Sequence, residues 1–546
     1  MPSRRARVVL SVLSLSFSAR AADVPATPAD YTAKLSGLQP GDTLKLGPGD
    51  YTKGMNLFNL HGAAGSPIVI EGPASGAPAR FLGVSGKNTI DIRDASFITI
   101  KNLLLDGQGI DGVDAIKAGG QATNYAHHIG IEGCTITGHD AGETNQQIVG
   151  ISTKIVAWDW VIRGNVIDGA GTGAYLGNSD GTRAFIGGLI EGNLFKKTLG
   201  YNMQVKHQLH RQQADVPSVP TDKRVTIIRH NVFIKANLPS PDGARPNLLA
   251  DGFPDSGPGA DDHYEIYGNF FFHNDGDALF QGNGRIHFHD NLLVDSKHPA
   301  VRLTAHQGKT VIDAFVYDNT IYDTASGISF GSAPSGQKLV AGNAIFSAQP
   351  LSGVTGAVDN VTAAVTEAAN YVVAPGKTLG QMDFYPKSGS ALKGSAIDLS
   401  SVKADTDYDR DFNGTVRDFT YRGAYQGEGT NPGWSPDATL KTGGGSGGTS
   451  GSGGNGGGSG SGGAPGGGAS SGGASSGGAS SGGASSGGAS SGGASSGGAS
   501  AGDASDDDGG CGCRSARQDA GSVSGWALSA LILAWARRRR ARVTSS

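Results

Sequence analysis

A short pattern that recurs nine times is the feature that most restricts the fold of this chain. Each copy reads apolar, two variable residues, a ladder position that is usually Asn, one variable residue, and apolar again. The copies are Ile100-Leu103-Leu105, Ile131-Cys134-Ile136, Ile162-Asn165-Ile167, Ile190-Asn193-Phe195, Ile228-Asn231-Phe233, Ile266-Asn269-Phe271, Phe288-Asn291-Leu293, Val316-Asn319-Ile321 and Val340-Asn343-Ile345. Successive ladder positions lie 22 to 38 residues apart, a period typical of one coil of a solenoid.

The residues of each copy predict a short strand that turns at its Asn. β-branched and aromatic residues favour strands, and Asn tolerates the left-handed backbone of a sharp turn. Coils stacked ~4.8 Å apart would pair every backbone group and place like residues on like. We therefore predict an all-β fold, a single-stranded right-handed parallel β-helix over residues 23–428, with seven ladder Asn side chains stacked inside. A β-propeller expects a period of ~40–50 residues with four strands per blade, which the chain lacks.

The cysteines and the charge balance exclude several classes of protein. The chain has three cysteines, so no disulfide framework can brace the repeats, and Cys134 at a ladder position is expected to be a buried apolar filler. The net charge of −4 gives no global reason to expect nucleic acid or an anionic membrane surface as a partner. We expect a monomer.

Residues 1–22 have the features of a secretory signal peptide. Arg4, Arg5 and Arg7 precede the apolar residues 8–17, and Ala19-Arg20-Ala21 is a small-x-small cleavage site. The chain is therefore expected to be exported, and general secretion fits better than the twin-arginine route.

The C-terminal part reads as a tether followed by an anchoring signal. Residues 429–510 are dominated by Gly, Ser and Ala, which predicts a disordered linker. Cys511 and Cys513, a short hydrophobic helix at residues 523–536 and the arginines at 537–540 follow. This arrangement resembles the myxobacterial C-terminal sorting signal MYXO-CTERM, which implies cleavage near Cys511 or Cys513 by sorting machinery and retention at the cell surface. The alternative is a plain C-terminal membrane anchor. The C-terminal tail is the only part of the chain that we expect to contact a membrane.

Two segments outside the repeats carry a family resemblance. Residues 41–46, 66–70 and 97–100 resemble the opening coils of polysaccharide lyases of the chondroitinase B and alginate lyase kind, in the pectate-lyase-like superfamily. Residues 411–414, Arg417 and residues 422–425 resemble a closing segment common in that superfamily. The resemblance implies a β-helix fold, and it implies that the chain cleaves an acidic polysaccharide by a lyase reaction.

The candidate site lies where the repeat is interrupted. The coils from Asn193 to Asn231 and from Asn231 to Asn269 are 38 residues long, so they carry long loops, where function is usually grafted. Successive side chains of a strand point to opposite faces. We therefore expect polar residues of neighbouring strands to form one outward-facing column. Its expected members are Gln204, Lys206, Gln281 and Arg302, with Asp251 nearby and walls that include His210, Arg211, Arg245, Asp255, Asp261 and Asp262.

This column suits an acidic glycan. β-Elimination at a uronate needs a cation beside the carboxylate and a base for the adjacent proton. The resemblance to chondroitinase B-like lyases implies Lys206 as the base and Arg229 as the partner arginine, a role that Arg302 or Arg211 could also fill. Gln204, His210, Arg211, Asp251 and Gln281 are candidate substrate-binding residues.

Metal binding has weaker candidates. Residues 409–414 match the first half of a calcium loop, which makes calcium a candidate ion, but Arg417 and Thr420 at the ninth and twelfth positions favour an Asx-rich turn. His287 and His289 alternate on one strand and are expected to face outward.

Two functions stay open from the sequence. The chain is an enzyme acting on an acidic polysaccharide, lyase-like in its chemistry, or it is a non-catalytic surface protein that binds glycans or serves a structural role.

Overall fold

The structure, a computed structural model, describes residues 21–140, 148–236 and 243–441. The described residues do not include residues 1–20 of the predicted signal peptide, the part of the predicted linker beyond residue 441, Cys511, Cys513 or the apolar segment 523–536. Within the three described ranges, no helix is long and apolar enough to cross a membrane.

The first face of the solenoid, sheet 1, contains the strands that precede the ladder positions. Its strands pair in parallel, each with the equivalent strand of the next coil. They are Asp23–Ala26, Thr43–Leu46, Ile68–Glu71, Ala95–Lys101, Tyr125–Glu132, Val161–Arg163, Leu189–Glu191, Val225–Arg229, His263–Tyr267, Gly284–His289, Val311–Tyr317 and Lys338–Ala341, with Val156–Trp158 and Phe185–Ile186 extending the sheet alongside.

The other two faces are formed by the strands after the ladder turn. Sheet 2 consists of Gly49–Tyr51, Ala79–Leu82, Leu103–Asp106, Thr135–His139, Val166–Ala170, Leu194–Thr198, Val232–Lys235, Phe270–Asn274, Ala344–Phe346 and Val361–Ala363. Sheet 3 consists of Met55–Phe58, Ile90–Arg93, Ile116–Ala118, Val149–Thr153, Thr172–Leu176, Met203–Val205, Leu248–Ala250, Phe280–Gly282 and Gln349–Ser352. The long strands Leu292–Leu303 and Thr320–Phe330 run through both sheets. Parallel pairing of every coil with the next confirms the predicted right-handed parallel β-helix.

The remaining elements lie at the two ends of the domain. A short helix, Tyr31–Leu35, packs at the N-terminal end. Two 3₁₀ helices, Val365–Asn370 and Ser400–Val402, and an antiparallel pair, Val372–Ala374 with Asp383–Pro386, lie in the C-terminal part.

The asparagine ladder lies at the corner between sheets 1 and 2. All seven predicted Asn side chains are fully buried. The Asn165 amide Nδ2 donates to Asn193 Oδ1 at 2.9 Å, and the same bond repeats from coil to coil at 2.8–3.1 Å. Each Oδ1 also accepts from the backbone N–H of the preceding ladder residue, as in Asn193 to Asn231 at 3.0 Å. The predicted ladder is confirmed, and it has an eighth member, Asn360.

Cys134 continues the ladder with a sulfur in place of the amide. Its thiol is buried, and burial raises its pKa to about 12. Its backbone N–H donates to Asn165 Oδ1 at 2.9 Å, so it ends the amide run without leaving the acceptor unpaired. The interpretation of Cys134 as a buried filler is confirmed.

The C-terminal segment, residues 364–441, corrects the prediction of a continuous β-helix to residue 428. The last parallel strand is Val361–Ala363, and the chain then folds back along the outside. Apolar residues of the segment, such as Phe384 and Trp434, cover the outer side of sheet 2, while Ile397 and Val402 cover sheet 1 near its last coils. Packing continues past the predicted boundary to Lys441, whose ammonium donates to the Gly268 carbonyl at 2.7 Å.

Candidate functional site

Both long insertions leave the solenoid at one place, the corner between sheet 3 and sheet 1. Residues 206–224 follow the strand Met203–Val205, and residues 251–262 follow the next strand, Leu248–Ala250. The same corner in the two following coils holds Asn283 and the turn at 304–310. A set of polar side chains converges there, which we call the corner cluster; it comprises Lys206, His207, Asp251, Asn283, His306 and Lys309.

Lys206 lies at the first rung of the corner cluster. Met203 and Val205 are in the core, so alternation turns Gln204 and Lys206 away from it, as predicted. The Lys206 side chain is nevertheless covered, since the residue is only 7% exposed. Its ammonium lies 5.9 Å from the centre of the Tyr175 ring, which also carries the Lys154 ammonium at 3.1 Å. Two lysines, one from the coil on either side, thus share the Tyr175 ring.

Asp251 is the anionic centre of the cluster. It is fully buried, and its Oδ1 accepts from Asn283 Nδ2 at 3.0 Å and from His306 Nδ1 at 2.8 Å. Because a carboxylate can only accept, the His306 proton in this bond is on Nδ1, and Nε2 is left as the second functional nitrogen of the ring. The arrangement orients His306, whose side chain is 24% exposed, by the logic of a His–Asp pair.

Several buried polar atoms of this corner have no hydrogen-bond partner among the described residues. They are Gln204 Nε2, His207 Nδ1, Asp251 Oδ2 and Asn283 Oδ1. Folded proteins rarely leave buried donors and acceptors unpaired, and unpaired ones concentrate where a ligand or water completes the bonding. Burial lowers the pKa of His207, and the nearby Lys206, Lys309 and His306 lower it further, while Asp251 opposes the shift. The His207 imidazole is therefore held neutral.

The polar column of sheet 3 runs beside the corner cluster. Register places Tyr175, Gln204, Leu249, Gln281 and Arg302 opposite one another on successive strands. Arg302 donates to Asp277 Oδ1 at 2.5 Å and to Gln281 Oε1 at 3.4 Å. The predicted column thus forms on one face, with Leu249 interrupting it and Asp277 balancing the charge of Arg302.

The predicted walls of the site have different roles in the structure. Arg211 is buried: it donates to the carbonyls of Pro220 and Asp222 at 2.5 and 2.7 Å and forms an ion pair with Asp262. It therefore braces one insertion against the other and does not face a groove. His210 is exposed on the first insertion and contacts Gln212 at 3.2 Å.

Arg229 is not part of this site. It lies on sheet 1, where it pairs with Glu191 at 2.7 Å and with Asp407 of the C-terminal segment at 3.2 Å. The carboxylates and the Tyr267 hydroxyl raise its pKa, so it remains a permanent cation in a structural role. The candidate pairing of Lys206 with Arg229 is wrong, because the two residues are on different faces.

His287 and His289 turn away from the core as predicted, but the C-terminal segment covers them. The His287 ring contacts Asp405 at 2.8 Å, and His289 stacks between Tyr267 and Tyr317 at 4.7 and 4.6 Å. Neither histidine is available to an external ligand.

The calcium-like sequence at 409–414 folds as a turn around the buried Asp411. Asp411 Oδ1 accepts from the N–H groups of Asn413 and Thr415 at 2.9 and 2.7 Å, and Oδ2 accepts from Gln426 at 2.8 Å. Backbone donors therefore use the carboxylate that would bind the ion. In the part of the chain that the structure describes, no group of three or more His, Cys, Asp or Glu side chains is arranged to hold a metal.

Sequence reasoning missed four of the six residues of the corner cluster. His207, Asn283, His306 and Lys309 were not among the candidates, although His306 and Lys309 bound a tight turn directly after a sheet 3 strand, joined by backbone bonds of 2.9 Å. For Asn283, His306 and Lys309 the available signal was their position one and two coils beyond the insertions, and for His207 it was its place directly after Lys206.

Comparison with known proteins gives only distant likenesses. No protein-family model and no curated protein matches the chain. Among solved structures, it is similar to the A-module of a mannuronan C-5 epimerase from Azotobacter vinelandii, at 16% identity over 62% of this chain and 92% of that one, with a TM-score of 0.38. A PL6 family alginate lyase is 16% identical over 62% of this chain and 51% of that one, with a TM-score of 0.37.

A GH136 lacto-N-biosidase from Eubacterium ramulus is 11% identical, with a TM-score of 0.38, over 60% of this chain and 63% of that one. The chain thus spans less than two thirds of the length of the lyase and of the lacto-N-biosidase. Likenesses at these TM-scores define neither the fold nor the function of this chain, whose β-helix is defined by the register of its own strands.

Proposed function

We propose that the corner cluster and the adjoining sheet 3 column bind an acidic polysaccharide and cleave it by β-elimination. The observation that carries the proposal is the convergence of two lysines, two histidines and a buried carboxylate at the corner from which both long insertions emerge. Four buried polar atoms of the cluster and the adjoining column have no hydrogen-bond partner among the described residues. A polyhydroxylated ligand offers donors and acceptors that would complete those bonds.

The location of the cluster supports an external ligand. The C-terminal segment packs its apolar residues on sheets 1 and 2, whereas the corner cluster is walled by the two insertions instead. The insertions are fixed to each other through the buried pair of Arg211 and Asp262. A site of this kind keeps its walls in place before the ligand arrives, which reduces the entropy lost on binding.

The proposed reaction divides between two groups. The neutral amine of Lys206 removes the proton from the carbon next to the uronate carboxylate, and the electron pair of that C–H bond forms the new C=C bond. The glycosidic C–O bond at the neighbouring carbon breaks, and its oxygen takes the Nε2 proton of His306 in its imidazolium form, which keeps its Nδ1 proton on Asp251 and becomes neutral. Cationic side chains such as Lys309 and Arg302 offset the carboxylate charge that grows during proton removal.

Replacement of the base tests this function. Full-length protein is offered a panel of uronic-acid polymers, and unsaturated products are followed by their ultraviolet absorbance. We expect turnover by the wild type and a fall of about 10²–10⁴-fold in kcat for Lys206→Ala, because a positioned general base contributes that much. Affinity for the polymer should fall only modestly.

A matched control distinguishes the effect of losing the site residue from the effect of losing any positive charge. Lys297→Ala removes a lysine whose side chain is 71% exposed on the strand Leu292–Leu303, and it should leave kcat unchanged. If the wild type binds a uronan without turnover and Lys206→Ala weakens that binding, the chain is a glycan-binding protein and not a lyase. Equal turnover in both variants would remove Lys206 from the reaction.

The proposal includes export and retention at the cell surface. It is supported by the signal peptide features of residues 1–22 and the resemblance of residues 511–546 to a sorting signal, with residues 442–510 as the tether. A polysaccharide outside the cell is the substrate that such a location provides. Fractionation of cells that express the full chain tests this part, and recovery of the protein in the cytoplasm would contradict it.

A further inference from the structure

The insertion 251–262 supplies carboxylates to two nearly buried cations, and the two ion pairs differ in exposure. Asp262 pairs with Arg211, and these side chains are 2% and 0% exposed. Asp255 Oδ1 accepts from Lys309 Nζ at 3.0 Å, but here the Lys309 side chain is 5% exposed and the Asp255 side chain 85%. The same insertion thus carries one carboxylate enclosed by the protein and one that stands in solvent.

The surroundings of the two carboxylates match this difference. Asp262 Oδ1 also accepts from the backbone N–H of Arg224 at 2.8 Å. Asp255 begins an exposed tip, residues 255–258, which lies between the buried Pro254 and Gly259. Because an exposed carboxylate is well hydrated whether or not it is paired, the release of Asp255 from Lys309 costs that carboxylate little free energy.

Lys309 is fixed in the corner cluster by its backbone and by its packing. Its N–H and carbonyl bond to those of His306 at 2.9 Å, in the turn that follows the strand Leu292–Leu303. Its side chain packs over Gly252, where a Cβ would lie 2.8 Å from Lys309 Cβ and 2.7 Å from Asn283 Oδ1. The lack of a side chain at Gly252 therefore lets the lysine and this amide oxygen approach the same point.

A buried cation with an exposed anion restricts what can replace Asp255. If Asp255 leaves and nothing takes its place, Lys309 is left buried without its ion-pair partner, which is costly. A ligand carboxylate on Lys309 Nζ restores the pair, and the released Asp255 returns to water. A neutral sugar has no charge with which to do so. The pair therefore discriminates in favour of carboxylated sugars.

We propose that Asp255 occupies the binding position of a ligand carboxylate: in the free protein it pairs with Lys309, and a uronate carboxylate of the polysaccharide displaces it on binding. The inference rests on the proposed function and deepens it, because it makes Lys309 the residue that selects carboxylated sugars at the corner cluster. The turn that joins Lys309 to His306 then places the bound uronate beside the proposed acid. Asp255 competes with the ligand, so its removal should raise the affinity.

Removal of the exposed carboxylate tests the proposal. Calorimetry measures the binding of galacturonate, mannuronate and guluronate decamers to the full-length protein that carries Lys206→Ala, which suppresses turnover during the titration. Maltodecaose is the uncharged probe. We expect Asp255→Ala to raise the affinity for a uronate decamer about fivefold, since an exposed ion pair is worth up to about that factor. Binding of maltodecaose should stay as it is in the parent protein.

Asp261→Ala is the matched control. It removes a carboxylate that is 81% exposed on the same insertion, where Asp261 pairs with Arg285 at 3.6 Å, and it should change uronate affinity by less than about twofold. Lys309→Met should lose about tenfold in uronate affinity, and Asp255→Ala should add nothing in its presence. Should Lys309→Met unfold, Asp255→Glu takes its place as the second variant; its longer carboxylate still pairs with Lys309, so uronate affinity should match that of the parent protein.

The outcomes separate the exchange of carboxylates from the proposed function. A gain in Asp255→Ala that is lost with Lys309→Met supports the exchange, even if the wild type shows no turnover, which would overturn the lyase reaction alone. Unchanged or weaker uronate binding in Asp255→Ala, while the wild type cleaves a uronan, would overturn the exchange and leave the proposed function standing.

Two further results would contradict the exchange. Equal gains in Asp255→Ala and Asp261→Ala, or a gain that persists in Lys309→Met, would show that Asp255 acts only by general repulsion of an acidic polymer. A protein that binds none of the uronate decamers would overturn both the exchange and the proposed function.

Discussion

The asparagine ladder and the corner cluster are both rows of buried polar side chains that cross several coils, and they differ in how their atoms are paired. In the ladder, each amide meets an identical amide in the next coil and a backbone carbonyl in the previous coil, as Asn231 does with Asn269 and Ile190 at 3.0 and 2.9 Å. In the corner cluster, each coil supplies different residues, and Asp251 and Asn283 each keep one buried oxygen with no partner in the part of the chain that the structure describes.

The difference shows how a repeat protein divides stability from function. A polar group repeated in every coil is satisfied by its own copies, so it can be buried at little cost. A polar group that occurs once has no copy to pair with, and an atom that its neighbours leave unpaired can be completed by water or by an external ligand. Three predictions test this division, from the largest expected effect to the smallest.

Asn231→Leu should destabilise the domain by about 3 kcal/mol, because it leaves two donors of Asn193 and the carbonyl of Ile190 unpaired in the core. Urea unfolding followed by circular dichroism measures the change. Asn360→Leu, at the half-buried last rung of the ladder, is the control and should cost about 1 kcal/mol. Equal losses at the two positions would mean that the ladder does not act through mutual pairing.

Gln204→Leu should instead stabilise the domain and raise its free energy of unfolding by up to about 1 kcal/mol. The replaced side chain is 2% exposed and its Nε2 lacks a partner among the described residues, while Leu249 already occupies the same column one strand away. The same unfolding assay applies, together with uronan binding, which should weaken. A destabilisation comparable to that of Asn231→Leu would show that Gln204 is a structural residue.

Acidification should loosen the corner cluster and leave the ladder unaffected. The pKa of His207 is lowered in the fold, so the unfolded or opened chain binds a proton that the native corner does not, and local stability falls as the pH drops through 6.5. Amide exchange of the backbone around residues 206–209 should accelerate between pH 7 and 5 beyond its intrinsic rate. His207→Gln should abolish the extra acceleration, and ladder amides should show none in either protein.

The repeated part of the fold was accessible from the sequence because one residue type marks each coil. Asn360 escaped detection since it follows Asn343 after only 17 residues, with Ala357 in place of the larger apolar residue that opens the other copies. The amide pairing itself needed no knowledge of loops, because identical residues at identical positions must meet when coils stack.

The C-terminal segment could not be predicted in the same way. Its contacts occur once each, such as Arg417 with Asp290 at 2.8 Å across 127 residues of sequence, and no periodicity records them. The corner cluster could be predicted in part, unlike the C-terminal segment and less fully than the repeats. Alternation placed Gln204, Lys206 and Arg302 on one face, but only the folded loops show that Arg211 turns inward while His306 reaches Asp251.

The fold-back of the C-terminal segment also decides where mechanical load enters the molecule. The described chain ends at Lys441, beside Gly268 and several coils before the last parallel strand at Ala363. Seven residues earlier, the Trp434 ring packs edge to face against Phe270. A pull on the chain beyond Lys441 is therefore taken up at the flank of the solenoid by one buried ammonium and one indole. Under tension the C-terminal segment would detach from the solenoid first, and the coils that hold Lys206 would remain unstretched.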